Sequence, residues 1–540
     1  MSKLVNEIIN LKDLFNKKKF NEIQELSKFL LIKYSESFEI NLIIGTSYLV
    51  KKKPNKALPL LIKANKINPS SSVCLLNISL CYKQLKIITK YKKYLDLANF
   101  SDPENVDIIC ELGFFHLFVN EILTSISYYE KVLKYKFNDL NFILNLSQSY
   151  LRAGNSPKVI EICLNYIKNG NMNSHVLNTL GVAYKNIGDS INAKLYLEKS
   201  IKISPENFQV HRNLSSLIDY KDDNKHLMQM ESLLKTYNSN IDLNLALSKA
   251  YKDLKNKRKY FDHLDFANRS KKNQLKFNIN NEKNKFSKIK SIFSIGRLDD
   301  FSFKDQSFNL IFILGLPRSG TTLTESILSS HSQVYASGEF DGMQNLGDQV
   351  LHNETIKNLN DKDLITKFRQ YYLDRLPKVE KTILYITDKM PLNFLWIGLI
   401  LKCFPSAKII NLQRNPVATC WSIFNTYFPS GGNAYSYDQS DIYYYYHLYL
   451  DLMQHWNKIY PNKIFNLDYE MLTKQPEEEI KKLLIYCDLT IQKACFNPHL
   501  NKRVINTASS IQARKEIYAG SSSDWHTYKE FIFPKILTLT

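Results

Sequence analysis

Asn309-Leu310-Ile311-Phe312-Ile313-Leu314 (NLIFIL) runs without a break into Gly315-Leu316-Pro317-Arg318-Ser319-Gly320-Thr321-Thr322. The first six residues form a short apolar run of the kind that makes a buried strand. Leu323–Ser330 then reads as a helix. Strand, glycine-bounded loop and helix in that order make an anion seat. The first N–H groups of the helix face the ligand, and the helix dipole favours negative charge there. Gly315 and Gly320 keep the G-x-x-x-x-G spacing of a phosphate-binding P-loop. The next residue is Thr321, where a nucleoside triphosphatase carries Lys, so γ-phosphate transfer is disfavoured. Arg318 instead puts a cation inside the loop itself.

A second such junction lies downstream. Lys408–Leu412 (KIINL) is again strand-like and leads into Gln413-Arg414-Asn415-Pro416-Val417-Ala418-Thr419-Cys420-Trp421-Ser422. Arg414 ends the strand, and Ser422 follows eight residues later inside a helix. One phosphate could be gripped by both.

Upstream, the chain repeats itself. Tyr48, Tyr82, His116, Tyr150 and Tyr184 stand 34 residues apart, as do Ala64 and Ala98, and Pro69 and Pro103. One unit runs Gly45, Tyr48, Ala57, Leu61, Ala64, Pro69, and another runs Gly181, Tyr184, Ala193, Leu197, Ser200, Pro205. Small residues let two antiparallel helices approach, Tyr48 and Leu61 fill the seam, and Pro stops the second helix. Units begin near residues 38, 72, 106, 140, 174, 208 and 241, with a weak unit at 208 and a degenerate pair over 4–37. The pattern resembles a tetratricopeptide-repeat solenoid over residues 1–274, each pair needing its neighbour to cover an apolar face. A polar connector over 275–307 follows, with a helix expected around Phe286–Ile295 that docks on the next domain. Residues 308–540 then form an α/β domain with a parallel sheet.

Composition narrows the class. A chain of 540 residues with 44% hydrophobic and 23% charged residues has more than one ordinary core and is not disordered over most of its length. No apolar run reaches the roughly 18–20 residues that span a bilayer, and the first residues lack a signal-peptide core. The net charge is +20, and 47 of the 72 Lys and Arg, but only 29 of the 52 Asp and Glu, fall in residues 1–300. The segment 249–290 alone holds 14 basic and 4 acidic residues. Such a patch invites a nucleic-acid reading, yet Lys- and Asn-rich solvated helix faces account for it, and no nucleic-acid partner is expected. The eight Cys show no C-x-x-C and no zinc spacing with His, which points to buried free thiols, a reducing compartment and a cytoplasmic protein.

GLPRSGTT followed by QRNPVATCWSIF resembles the sulfotransferase family that uses 3′-phosphoadenosine 5′-phosphosulfate. With the repeats, the chain is similar to bacterial tetratricopeptide sulfotransferases related to protein-tyrosine sulfotransferases. The resemblance implies that Arg318, Ser319, Gly320, Thr321 and Thr322 hold the 5′-phosphosulfate and that Arg414 and Ser422 hold the 3′-phosphate. It implies Glu339, in Ser337-Gly338-Glu339-Phe340, as general base. It implies Lys389, in Asp388-Lys389-Met390-Pro391, as the cation on the transferring group, a role Arg318 shares. Tyr469 would line the nucleotide site, and Ser509, Ser510 and Arg514 are candidates from the stretch Arg503–Tyr528. The family often has a basic residue before the Trp of that stretch; here it is Asp524, before Trp525.

These residues suit sulfuryl transfer. Cations around the transferring oxygens serve without a metal, and a carboxylate takes the acceptor proton. His331, the rival base, lies one turn beyond the loop helix and fits packing or capping better. Tyr443–Tyr446 reads as core, with a stripe of Tyr443, Tyr446, Leu450 and Met453. The expected activity is therefore transfer to a hydroxyl, protein tyrosine among the candidates, or to an amine. The acceptor is unnamed by the sequence; a protein or peptide held by the repeats is one candidate. The alternative is a repeat scaffold whose transferase domain is catalytically silent.

Overall fold

A computed structural model describes residues 3–221, 224–294, 303, 308–352, 359–428, 431–501 and 510–539. The chain divides into two compact units, Met1–Ala183 and Tyr184–Thr540.

The first unit is helical throughout. Its pairs are Lys3–Asn16 with Phe20–Lys33, Phe38–Val50 with Pro54–Ile67, Ser72–Gln84 with Ile88–Ser101, Val106–Phe118 with Ile122–Lys136, and Leu140–Arg152 with Ser156–Lys168. The 34-residue period governs the helix ends as well as the seam. Ser37, Ser71, Asn105 and Asp139 cap successive first helices by accepting a backbone N–H in the first turn. Each first helix closes with a left-handed residue: Lys18, Lys52, Lys86, Asn120 and Gly154 all have positive φ. The residue after it donates back to the carbonyl five positions earlier, as in Lys53 N to Tyr48 O (2.9 Å), Ile87 N to Tyr82 O (3.0 Å) and Asn155 N to Tyr150 O (2.8 Å). The seam is tight where the small residues fall. A Cβ on Gly45 would lie 2.9 Å from Leu61, and one on Gly113 would lie 2.7 Å from the Tyr129 ring. The solenoid expected from the period is the fold observed.

The second unit opens with the remaining repeat helices: the end of Ser174–Ile187, then Ser190–Ile203, Phe208–Ser215, Lys225–Thr236, Ile241–Asp253 and Lys257–Leu275. The weak unit at 208 is the one whose first helix is cut to eight residues. The last repeat helix docks on the α/β domain. Tyr260 donates to Asn425 Oδ1 (2.5 Å), Asn268 donates to Phe424 O (2.9 Å), and Lys272 pairs with Asp438 (3.1 Å) and Asp441 (2.7 Å). The connector helix begins earlier than expected, at Ile279, and ends at Ile292, before Ile295. It buries Phe286 and Ile289, and its Lys290 reaches Asp451 at 2.5 Å. Two charges of the basic segment, Lys272 and Lys290, are thus matched by Asp441 and Asp451 of the helix Gln439–Ile459 and by its cap Asp438.

The sheet has five parallel strands: β1 (Asn309–Gly315), β2 (Val334–Ala336), β3 (Tyr385–Asp388), β4 (Lys408–Gln413) and β5 (Ile464–Asp468), in the order β2-β3-β1-β4-β5. The run NLIFIL is apolar throughout because both faces are covered. Leu310, Phe312 and Leu314 enter one core, and Ile311 and Ile313 enter the other. The connection leaving β1 runs toward the β2 edge and the one leaving its neighbour β4 runs toward the β5 edge, so a crevice opens at the carboxyl ends of these strands. All eight cysteines are free, and all but Cys110 are buried. Among the described residues, no helix is long and apolar enough to cross a membrane.

Candidate functional site

Every strand delivers a polar side chain just past its carboxyl end. After β1 the chain turns through Gly315 (φ 139°), Arg318 (φ 69°) and Gly320 (φ 114°) into the helix Thr321–Leu328. The glycines are dictated by backbone sign and by space. A Cβ on Gly315 would sit 2.9 Å from Leu412 O, and one on Gly320 would sit 2.4 Å from the Tyr469 ring. Arg318, as a non-glycine in the left-handed region, is held there at a cost of about 1–2 kcal/mol.

Arg318 donates from Nε to Ser422 Oγ (3.1 Å) and from Nη2 to Gln512 Oε1 (2.8 Å). Arg414, one residue past β4, donates to Arg318 O (2.8 Å), Ser521 O (2.8 Å) and Ser522 Oγ (3.0 Å), with Tyr469 beneath it at 4.7 Å. Ser422 is therefore bonded to Arg318 here, while Arg414 braces the 521–522 turn; the two expected partners share one cavity. Tyr469 is fixed by a 2.8 Å hydrogen bond to Ser521 Oγ. Glu470 accepts from Asn415 N and from Ser522 Oγ, so β5 positions Arg414 indirectly. Burial, with the nearby Arg414 charge, pulls Arg318 down to about 10. Ser319 Oγ is buried without a hydrogen-bond partner among the described residues. Two neighbouring cations and an unsatisfied hydroxyl are the arrangement an anion relieves.

A cavity runs from this loop between Trp421, Tyr469, Tyr518 and Trp525, and Gly320 and Thr322 line it with both arginines. Thr321 is buried at the helix start. Asp524, the acid before Trp525, lines the cavity too. The Ser509 candidate and the side chain of Ser510 lie outside the described residues. Arg514 donates to Asn186 O (2.9 Å), and Gln512 rather than Arg514 lines the cavity.

The pair Glu339 and Lys389 belongs to the other half of the crevice, past β2 and β3, and is not part of the cavity lining. Lys389 Nζ lies 2.7 Å from Glu339 Oε1, with no exposed surface on the lysine side chain and 42% on the glutamate. Asp388 is not its partner. That carboxyl points into the opposite core, accepts from Tyr372 OH (2.7 Å) and is pushed up to about 8 by burial. The ladder beyond β2 positions the pair: Ser337 N bonds Thr387 O (3.2 Å), and Lys389 N bonds Gly338 O (2.9 Å). Glu325 ties this to the phosphate loop. It projects from the loop helix, is buried, and accepts from Gly338 N and Thr387 Oγ1, both at 3.0 Å. The sequence reading missed Glu325, although a lone acid in the apolar helix TTLTESIL was a signal. It also missed Glu470, Ser521, Ser522 and Gln512. His331 is buried and bonds Thr490 Oγ1 (3.1 Å) and Gln333 N (3.2 Å), a packing role away from both halves.

Fold and site together define an α/β domain with an anion seat at its strand ends and a separate acid–lysine pair beside it. Residues 310–493 match the sulfotransferase family, and residues 174–207 match the tetratricopeptide repeat. The chain thus carries a sulfotransferase-family domain C-terminal to tetratricopeptide repeats. An uncharacterized protein of Aquifex aeolicus (strain VF5) is 31% identical over 67% of this chain and 49% of its own. The chain therefore spans about half the length of that relative. The protein-tyrosine sulfotransferase of Drosophila melanogaster is 26% identical over 38% of this chain and 42% of its own. Protein-tyrosine sulfotransferase 1 of Danio rerio is 23% identical, over 38% and 59%.

Proposed function

We propose that the protein transfers a sulfuryl group from 3′-phosphoadenosine 5′-phosphosulfate to a hydroxyl or amine acceptor. The observation that carries this is the loop of β1, where Arg414 bonds Arg318 O at 2.8 Å, both arginines line one cavity, and the Ser319 hydroxyl of the same loop is buried without a hydrogen-bond partner among the described residues. Bound there, the phosphosulfate supplies an activated sulfuryl group. Ser319, Gly320, Thr321 and Thr322 offer the helix start and hydroxyls to its 5′ end; Arg318, Arg414 and Ser422 offer donors and charge to its phosphates. Trp421, Tyr469 and Trp525 give the cavity aromatic walls. Lys389, buried and fixed, supplies the positive charge for the oxygen charge that grows during transfer. Glu339, partly exposed, takes the acceptor proton at its carboxylate. Lys389 holds that carboxylate in place through the 2.7 Å contact. A hydroxyl acceptor, protein tyrosine included, accords with the names of the two animal relatives.

The repeats of Met1–Ala183 serve, on this reading, to hold a protein or peptide, the acceptor among the candidates. Calorimetry with 3′-phosphoadenosine 5′-phosphate tests the donor site. Binding without added metal, weakened by Arg414→Ala, is the expected result, and nucleotide binding at about 100 times Kd should stabilise the fold by about 2.7 kcal/mol. A protein that prefers ATP with magnesium would defeat the assignment.

A further inference from the structure

The repeat array reaches the nucleotide cavity. Lys252 is the penultimate residue of the helix Ile241–Asp253, the first helix of the last repeat, and it lines the same cavity as Arg318, Arg414, Ser422 and Trp421. Its helix is fixed to that wall. Tyr260, on the next helix, donates to Asn425 Oδ1, itself a lining residue, and packs on Tyr528 at 4.9 Å, which stacks on Trp421 at 5.5 Å. Lys252 Nζ stands 5.7 Å from the Tyr260 ring and 5.9 Å from the Tyr528 ring, so aromatic faces guide its stem. No hydrogen bond or ion pair within 4 Å joins it among the described residues.

The cavity wall as a whole carries more positive than negative charge, although Asp524 and Asp253 act on Lys252 itself more strongly than Arg318 and Lys249 do. Arg318, Arg414 and Lys515 line the cavity with it, against Glu516 and Asp524. Lys252 is exposed, yet enough protein surrounds it that desolvation lowers its pKa, with Asp524 and Asp253 opposing the fall and Arg318 and Lys249 adding to it. A cation on a cavity wall shared with Arg318 and Arg414, with no side-chain hydrogen bond or ion pair of its own among the described residues, is a ligand group waiting for an anion.

We propose that Lys252 is a donor-binding residue: the last repeat contributes a cation to the anionic nucleotide, so the array completes the donor site. This rests on the donor reading above. It makes the repeats part of the nucleotide site and not only an acceptor platform.

The test is calorimetry on the full chain with 3′-phosphoadenosine 5′-phosphate, using wild type, Lys252→Met, Lys252→Arg and Arg414→Ala, each checked by its nucleotide-free melting temperature. Lys252→Met should weaken binding about 10-fold or more, the scale of one charge-assisted contact, with its nucleotide-free melt unchanged. Lys252→Arg should recover most of the loss. If Arg414→Ala loses binding while Lys252→Met binds like wild type, the inference fails and the donor reading stands. If wild type itself does not bind the bisphosphate, the donor reading fails and carries this inference with it. If Lys252→Met also lowers the nucleotide-free melt and Lys252→Arg recovers neither property, the residue is structural and the inference is overturned.

Discussion

Lys389 has no exposed surface, and Glu339 is the acid that compensates it at 2.7 Å. A buried ammonium costs several kcal/mol unless paired, so the pair is structural as well as chemical. Glu339→Gln should keep nucleotide affinity and lose rate by roughly 10²-fold or more. It should also lower stability by about 1–2 kcal/mol, discounted because the glutamate is partly exposed. Calorimetry and single-turnover kinetics separate these effects; equal loss of affinity and rate would make Glu339 a structural residue. Asp388 beside it gives a pH prediction. Its folded carboxyl is raised from 3.8 to about 8, so between those values the folded state keeps a proton that the unfolded chain has lost. Stability then falls as pH rises through that window, by up to about 1.4 kcal/mol per pH unit. Asp388→Asn should flatten that slope in denaturant titrations between pH 5 and pH 8; an unchanged slope would place the proton elsewhere. Arg318 and Arg414 stood out in the sequence because each follows an apolar strand run, whereas Glu339 and Lys389 came only through the family resemblance; the structure sets those two 2.7 Å apart. Lys252, Glu470 and Ser522 were not legible, since they come from elements distant in the chain and carry no local pattern.

At the scale of elements, the period of 34 predicted helix pairs, seams and stops, because each is fixed by residue size or by proline. The turns between paired helices were less legible. Their left-handed residue is Gly at 154 and 188 but Lys at 18, 52, 86 and 255, and Lys carries no sign of positive φ. That yields a prediction: Lys86→Gly should stabilise the array by up to about 1 kcal/mol, since Lys86 is exposed and pays the left-handed strain. A lowered denaturant midpoint would show that the Lys86 side chain supports the turn. The tyrosine helix shows a different limit. Gln439–Ile459 does bury a stripe, but it runs through Ile442, Tyr445, Tyr446, Tyr449, Leu452, Met453 and Trp456, while Leu450 is 39% exposed and Tyr443 lies at its edge. Four consecutive tyrosines leave the phase of a helical stripe open, and the packing of Tyr445 on Tyr435 (3.6 Å) and on Phe286 (5.5 Å) sets it.

At the scale of the molecule, Tyr184–Thr540 is one compact unit in which the last repeats and the sulfotransferase-family domain share a core. A cut at 275 would strip away Tyr260, Phe261, Asn268 and Lys272, which pack on or bond to that domain. Fragment 184–540 should therefore bind the nucleotide as the full chain does, whereas fragment 275–540 should melt broadly and bind weakly. A sharp melt and full affinity for 275–540 would refute the docking argument. Fragment 184–540 should also transfer less efficiently to a polypeptide acceptor, if the first unit holds it, and equal efficiency would assign that unit to assembly. The central claim is the transfer itself, and it is tested by following sulfur-labelled 3′-phosphoadenosine 5′-phosphosulfate with wild type and Glu339→Gln over a panel of tyrosine peptides, other hydroxyl compounds and amines. The account predicts label on one acceptor class with wild type, and at least about 10²-fold less with Glu339→Gln at full donor occupancy. Donor bound by wild type, with no label moved to any acceptor, would contradict it and leave a repeat scaffold with a silent domain.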